Sequence, residues 1–174
     1  EIRYGQDYDL WVRLSVETRL MNIPEILYVR RRHPGMIGVR HRDVQDRVAR
    51  EAMTKAISRY LDNDVSPSLV QNLQKATRGI ALESAEEVTA LTDFILMLFN
   101  EFVKKNNLRP ILQAEVREDT AFRLARLATT NSPFYPSSAC RAMWRATVLG
   151  RKVPALACLK ILRGLVVGYV SKRI

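Results

Sequence analysis

Residues 84–103 read Ser84-Ala85-Glu86-Glu87-Val88-Thr89-Ala90-Leu91-Thr92-Asp93-Phe94-Ile95-Leu96-Met97-Leu98-Phe99-Asn100-Glu101-Phe102-Val103, and this stretch decides the fold class. Val88, Leu91, Phe94, Ile95, Leu98, Phe99, Phe102 and Val103 recur every three or four positions, the spacing of one buried helical face. Ser84 followed three residues later by Glu87 is a capping-box signature that places the helix start. With aromatic residues at core spacing, the stripe reads as packing surface rather than as a ligand box.

Working outward, the same period continues on both sides. Val44, Val48, Ala52, Met53, Ala56, Ile57, Tyr60 and Leu61 define a helix upstream, and Ser66-Pro67 opens another that carries Leu69, Val70, Leu73 and Ala76. Downstream, a helix is expected over 119–129 with Phe122, Leu124, Ala125 and Ala128 inside. A loop follows at 131–138, then a helix over 139–149 ending at Gly150. Pro154 opens a last helix running toward Lys172. The front of the chain differs: Asp7 to Leu14 predicts a short helix with Asp7 as N-cap, Asn22-Ile23-Pro24 breaks it, and Ile26 to Arg31 predicts a short strand before the Pro34-Gly35 turn. The expected class is therefore mainly α, with one helix and a short strand in front of an all-helical extension. The expected divisions are 1–42, a helical bundle region over 43–130, and a basic helical tail over 131–174.

Charge is unevenly placed. Of 28 Lys and Arg and 18 Asp and Glu, ten basic and no acidic residues fall in 121–174, so the net +10 belongs wholly to the last third. Such asymmetry suits an anionic membrane surface or nucleic acid; the plainer reading is a solvated basic face. Hydrophobic residues make up 47% of the chain, enough to bury a core and against wholesale disorder. Cys140 and Cys158 lie in apolar helical contexts without metal-type spacing, as reduced thiols of a cytoplasmic protein would. Lys160 and Arg163 interrupt the most apolar stretch, Val153 to Val170, which argues against a simple membrane span. In a helix, Lys152, Lys160 and Arg163 fall within an arc of roughly 80°. Leu156, Leu159, Leu162, Val166, Val167 and Val170 cover much of the rest. That pattern fits a helix lying in a membrane interface, with Trp144 and Arg145 extending the surface, or else a terminal helix docked on its neighbours.

Two features of the first forty residues carry chemistry. Gly5-Gln6-Asp7-Tyr8-Asp9-Leu10-Trp11 places a carboxylate at a helix mouth, where backbone N–H groups favour negative charge. Arg30-Arg31-Arg32-His33-Pro34-Gly35 clusters basic groups at a turn. Singly, these are a helix cap and a solvated loop. In this order, with Arg13-Leu14, Ile23-Pro24-Glu25 and Leu27 between them, residues 5–38 resemble the end of the catalytic domain in family 2 glycosyltransferases. Those are inverting enzymes of the GT-A fold, whose members commonly read Glu-Asp-Tyr-Asp-Leu-Trp, then Ile-Pro-Glu, then Tyr-Arg-x-His-Pro-Gly-Ser.

The resemblance implies transfer of a sugar from a nucleotide-sugar donor to a hydroxyl of a glycan or lipid-linked acceptor, in cell-surface glycan or polysaccharide synthesis. It implies Asp7 as the catalytic base. Arg31 and His33 would contact the donor diphosphate, with His33 alternatively a ligand of a divalent Mn or Mg ion. Its Asp-x-Asp metal motif and nucleotide-binding strands would lie upstream of Asp7, and nothing in 1–174 supplies them. The expectation is thus a C-terminal portion of a longer enzyme, inactive alone, and cytoplasmic or peripheral on the inner face of the membrane. Gln6, Arg30, Met36 and Gly38 depart from the family pattern. The competing expectation is a non-enzymatic basic helical module binding anionic membrane or nucleic acid. The absence of any helix-turn-helix, zinc or RNA-binding signature disfavours nucleic acid as the partner.

Overall fold

The structure, a computed structural model, describes residues 5–150 except 19, 22, 30, 32 and 34. The described residues form helices α1 (Gln6–Glu17), α2 (Ile37–Arg40), α3 (Arg42–Leu61), α4 (Pro67–Thr77), α5 (Ala85–Asn106), α6 (Pro110–Asn131) and α7 (Pro136–Leu149), with no strand among them. The chain divides into two compact units, residues 1–70 and 71–174, the division falling inside α4. It is a mainly helical protein.

In the first unit α1 and α2 each pack on α3. Gly5 caps α1 at φ 79°, a left-handed conformation open to glycine, and a Cβ there would lie 3.3 Å from Val48 Cγ1 on α3. Asp7 is therefore a first-turn residue and not the expected N-cap. Glycine suits this position because it takes that φ freely and lets the chain press against α3. α3 has no fully buried residue. Its periodic face is half-covered, as when two short helices shelter twenty residues. Asp62 in αL conformation ends it, and Ser58 Oγ accepts from Val65 N at 3.0 Å.

The strand expected over Ile26 to Arg31 is not formed. Ile26 to Val29 run as irregular chain with side chains 74–90% exposed. A strand exists by hydrogen-bonding to a neighbour, and the described residues contain no second extended segment to pair with.

The second unit is built on α5, α6 and α7, which all pack against one another, α6 on α7 most extensively. Val88, Leu91, Phe94 and Ile95 of α5 are buried, while the stripe opens toward its C-terminal end, where Phe102 is exposed. Ser84 Oγ accepts from Glu87 N at 3.2 Å, and the Glu87 carboxylate accepts from Glu83 N at 2.9 Å, one residue before the cap. Each fully buried Leu or Val of this face stabilises the fold by about 1.5–3 kcal/mol over its exposed state.

α6 begins nine residues before its expected start, with Pro110 at the first helical position. Its opening turns bury little, Ile111 and Leu112 being exposed, so no apolar period betrays them. Phe122, expected inside, is 58% exposed; the buried side of α6 is Thr120, Ala121, Leu124, Ala125, Leu127, Ala128 and Asn131. The loop before α7 shortens to Ser132–Tyr135, again because a proline, Pro136, opens the helix early. α7 faces inward with Ala139, Ala142, Met143 and Ala146, and the buried side of α6 likewise carries three alanines, Ala121, Ala125 and Ala128. Small residues on both faces let the helix backbones approach closely.

One buried side chain ties the second unit together. Asn131 Oδ1 accepts from Leu82 N at 2.8 Å, and Asn131 Nδ2 donates to Leu127 O at 2.8 Å. The hydroxyl of Tyr135 donates to Glu83 O, the residue after Leu82, so the segment leading into α5 is held from the α6–α7 corner.

Candidate functional site

The residues singled out at the front of the chain lie in the first unit. Asp7 is exposed in the first turn of α1, where Asp9 adds a second carboxylate to the positive end of the helix dipole. Asp7 Oδ1 accepts from Tyr8 N at 2.9 Å, which leaves the other oxygen directed away from that bond. Asp9 is held differently, its Oδ2 paired with Arg13 Nε at 2.9 Å one turn along. Of the two, Asp7 has its carboxylate uncommitted to a cation among the described residues. Between them Tyr8 is half-buried, and burial raises its phenol above the ordinary value.

His33 and Arg31 are exposed. His33 closes a tight turn with Met36: Met36 N donates to His33 O at 3.2 Å and His33 N donates to Met36 Sδ at 3.3 Å. The imidazole folds back over Gly35, where a Cβ would come within 3.3 Å of Nδ1. Met36 O then accepts from Arg40 N at 3.0 Å, so the turn leads directly into α2. α1 and α2 share α3 as their support, which puts the carboxylate and the imidazole on elements of one unit. No hydrogen bond or ion pair joins Asp7 to Arg31 or His33 among the described residues. No group of three or more His, Cys, Asp or Glu among them stands close enough to hold a metal ion.

Sequence reasoning missed Gly5, which positions the mouth of α1 through its left-handed φ and its approach to Val48. A glycine directly before an acidic helix start was the available signal. It also missed α2, a single turn too short to show a period.

In the second unit, a cleft of about 170 Å³ lies among α4, α5 and α6, floored by Leu73, Ala76 and Ile95 and rimmed by Phe122, Arg123 and Arg126. Arg123 is committed to Asp119 through a 2.6 Å ion pair. Trp144 and Arg145 are exposed on α7, whereas Lys152, Lys160, Arg163 and Cys158 lie outside the described residues. Cys140 is a half-buried free thiol. Among the described residues no helix is long and apolar enough to cross a membrane. Compared with models of protein families, with curated proteins and with solved structures, the chain matches none.

Proposed function

We propose that this chain is the C-terminal portion of an inverting nucleotide-sugar glycosyltransferase of the GT-A type. The observation that carries the reading is the run of matching residues in register: Asp7-Tyr8-Asp9-Leu10-Trp11, Arg13-Leu14, Ile23-Pro24-Glu25, and Arg31 with His33-Pro34-Gly35. Two features support it. Asp7 is an exposed carboxylate at a helix mouth, bonded among the described residues to a neighbouring backbone N–H alone, so it is accessible to a hydroxyl. The stretch between the two motif halves, including Met21, Ile23, Ile26, Leu27, Tyr28 and Val29, is apolar yet exposed, as a segment covered by further catalytic-domain structure would be.

In this reading Asp7 takes the proton of the acceptor hydroxyl as its oxygen attacks the anomeric carbon. The bond from that carbon to the diphosphate oxygen breaks on the opposite face, so configuration inverts and a nucleoside diphosphate departs. Arg31 offers a planar pair of N–H donors to the departing diphosphate, and His33 a further donor beside it. A divalent Mn or Mg ion is expected in the full-length enzyme, its main ligands lying outside residues 1–174 and His33 standing as an alternative further ligand. Its supply of positive charge at the diphosphate is the only chemistry assigned to it.

The test is release of nucleoside diphosphate by the full-length protein across a panel of nucleotide sugars. Asp7→Asn removes the base while keeping the acceptor to Tyr8 N, so turnover falls by about 10²–10⁴-fold with helicity unchanged. Retained turnover removes Asp7 from the mechanism.

A further inference from the structure

The outer face of α7 has a composition that its inner face does not explain. At roughly 100° per residue, Arg141, Trp144 and Val148 lie within an arc of about 60°, with Arg145 some 40° beyond, on the side of the helix away from the alanine face. Trp144 is 68% exposed and Val148 67%, and Phe134, just before the helix, is 63% exposed. Arg141 and Arg145 are exposed on the same side. No acidic residue occurs anywhere from Ala121 to Ile174, so no carboxylate of this segment neutralises them.

We infer that this face is a docking surface for an anionic lipid bilayer. An exposed indole flanked by guanidinium groups matches the interface of such a membrane. The indole ring is amphipathic and settles at headgroup depth, while arginines bond lipid phosphates in bidentate fashion. Charge complementarity selects this partner: the face is cationic, and the apolar side chains among the arginines suit an interface with an acyl layer beneath it. A nucleic-acid backbone would use the arginines but give Val148 nothing to bury against, and an acidic protein is not needed to explain the indole. The inference stands apart from the proposed sugar transfer, since it concerns a different unit of the chain and uses none of Asp7, Arg31 or His33.

The experiment uses the intact chain with Trp11→Phe, which leaves Trp144 as the single tryptophan. Its fluorescence is followed on adding phosphatidylcholine vesicles with and without phosphatidylserine, and with brominated lipid as quencher. The expected result is a blue shift and quenching with phosphatidylserine vesicles only. Arg141→Gln and Arg145→Gln should each weaken vesicle partitioning roughly fivefold while circular dichroism stays unchanged. Four results would overturn the inference. One is no vesicle binding; another is binding that leaves Trp144 emission and quenching unmoved, which assigns the contact elsewhere. A third is a blue shift that grows with protein concentration before lipid is added, which makes the face a self-association surface. The fourth is equal displacement by duplex DNA, which makes the partner a nucleic acid.

Discussion

Removing the Asn131 side chain is the sharpest test of how the second unit holds together. Asn131 is fully buried, and it is the acceptor for the N–H of Leu82, itself buried, 49 positions away in sequence. In Asn131→Ala the Leu82 N–H loses its partner inside the protein, which costs about 1–3 kcal/mol, and the second bond, to Leu127 O, adds about 1 kcal/mol. The sum is about 2–4 kcal/mol. For a cooperative unit of this size that lowers the unfolding midpoint by on the order of 10–20 °C. Asn131→Asp separates the two bonds. The carboxylate still accepts from Leu82 N but cannot donate to Leu127 O, and burial disfavours its charge. An acid whose folded-state pKa is raised carries no penalty below its unfolded value of about 3.9 and an increasing one as pH climbs through the interval up to the folded value. Asn131→Asp should therefore gain on Asn131→Ala as pH falls toward 4, and lose ground near neutrality. Hydrogen exchange reads the bond directly: a 2 kcal/mol loss speeds exchange of the Leu82 amide by on the order of 30-fold. Asn131→Ala within about 0.5 kcal/mol of the parent, with Leu82 protection unchanged, would show that Asn131 does not hold Leu82, because that is the scatter of ordinary surface substitutions.

Gly150→Ala should destabilise the second unit by about 1–3 kcal/mol in urea unfolding, since the new methyl would overlap Ala121 Cβ and crowd Glu118 Oε2 at 3.0 Å. Gly150 is extended at φ −113°, so the cost is packing and not backbone conformation, and Ala121→Gly in the same chain should recover part of it. The Lys75 ammonium, hydrogen-bonded to Glu83 at 2.6 Å, holds the Glu83 carboxyl below the usual carboxylate range. Lys75→Met should bring the Glu83 titration, followed by carboxyl NMR, back up. Because Glu83 is exposed, any stabilisation tied to this pair is screened; it is present above the unfolded glutamate pKa and fades as pH falls through the lowered one.

The helical character of the chain is legible in its residues alone, because a buried face must repeat with the helix period. α3, the start of α4 at Pro67, the Ser84 cap of α5 and the Gly150 end of α7 were all legible from period and punctuation. The same logic explains the failures. The opening turns of α6 are exposed and carry no apolar period, and Phe122 fits a core spacing but stands at the rim of a cleft, since spacing names a face without saying which neighbour covers it. Ile26 to Val29 have the composition of a strand, yet a strand is a relation between two segments, and composition specifies only one. The carboxylate of Asp7 and the turn at His33 could be picked out by residue type and order alone. That Gly5 rather than Asp7 caps α1, and that α1 and α2 lean on one helix, are matters of backbone dihedral and contact. Tertiary structure alone decided the pairing of Asn131 with Leu82, because a hydrogen bond spanning 49 residues leaves no local trace. It also decided which side of α7 faces outward: with Ala139, Ala142 and Ala146 buried and the helix packed on α6, Trp144 and its arginines were left toward solvent.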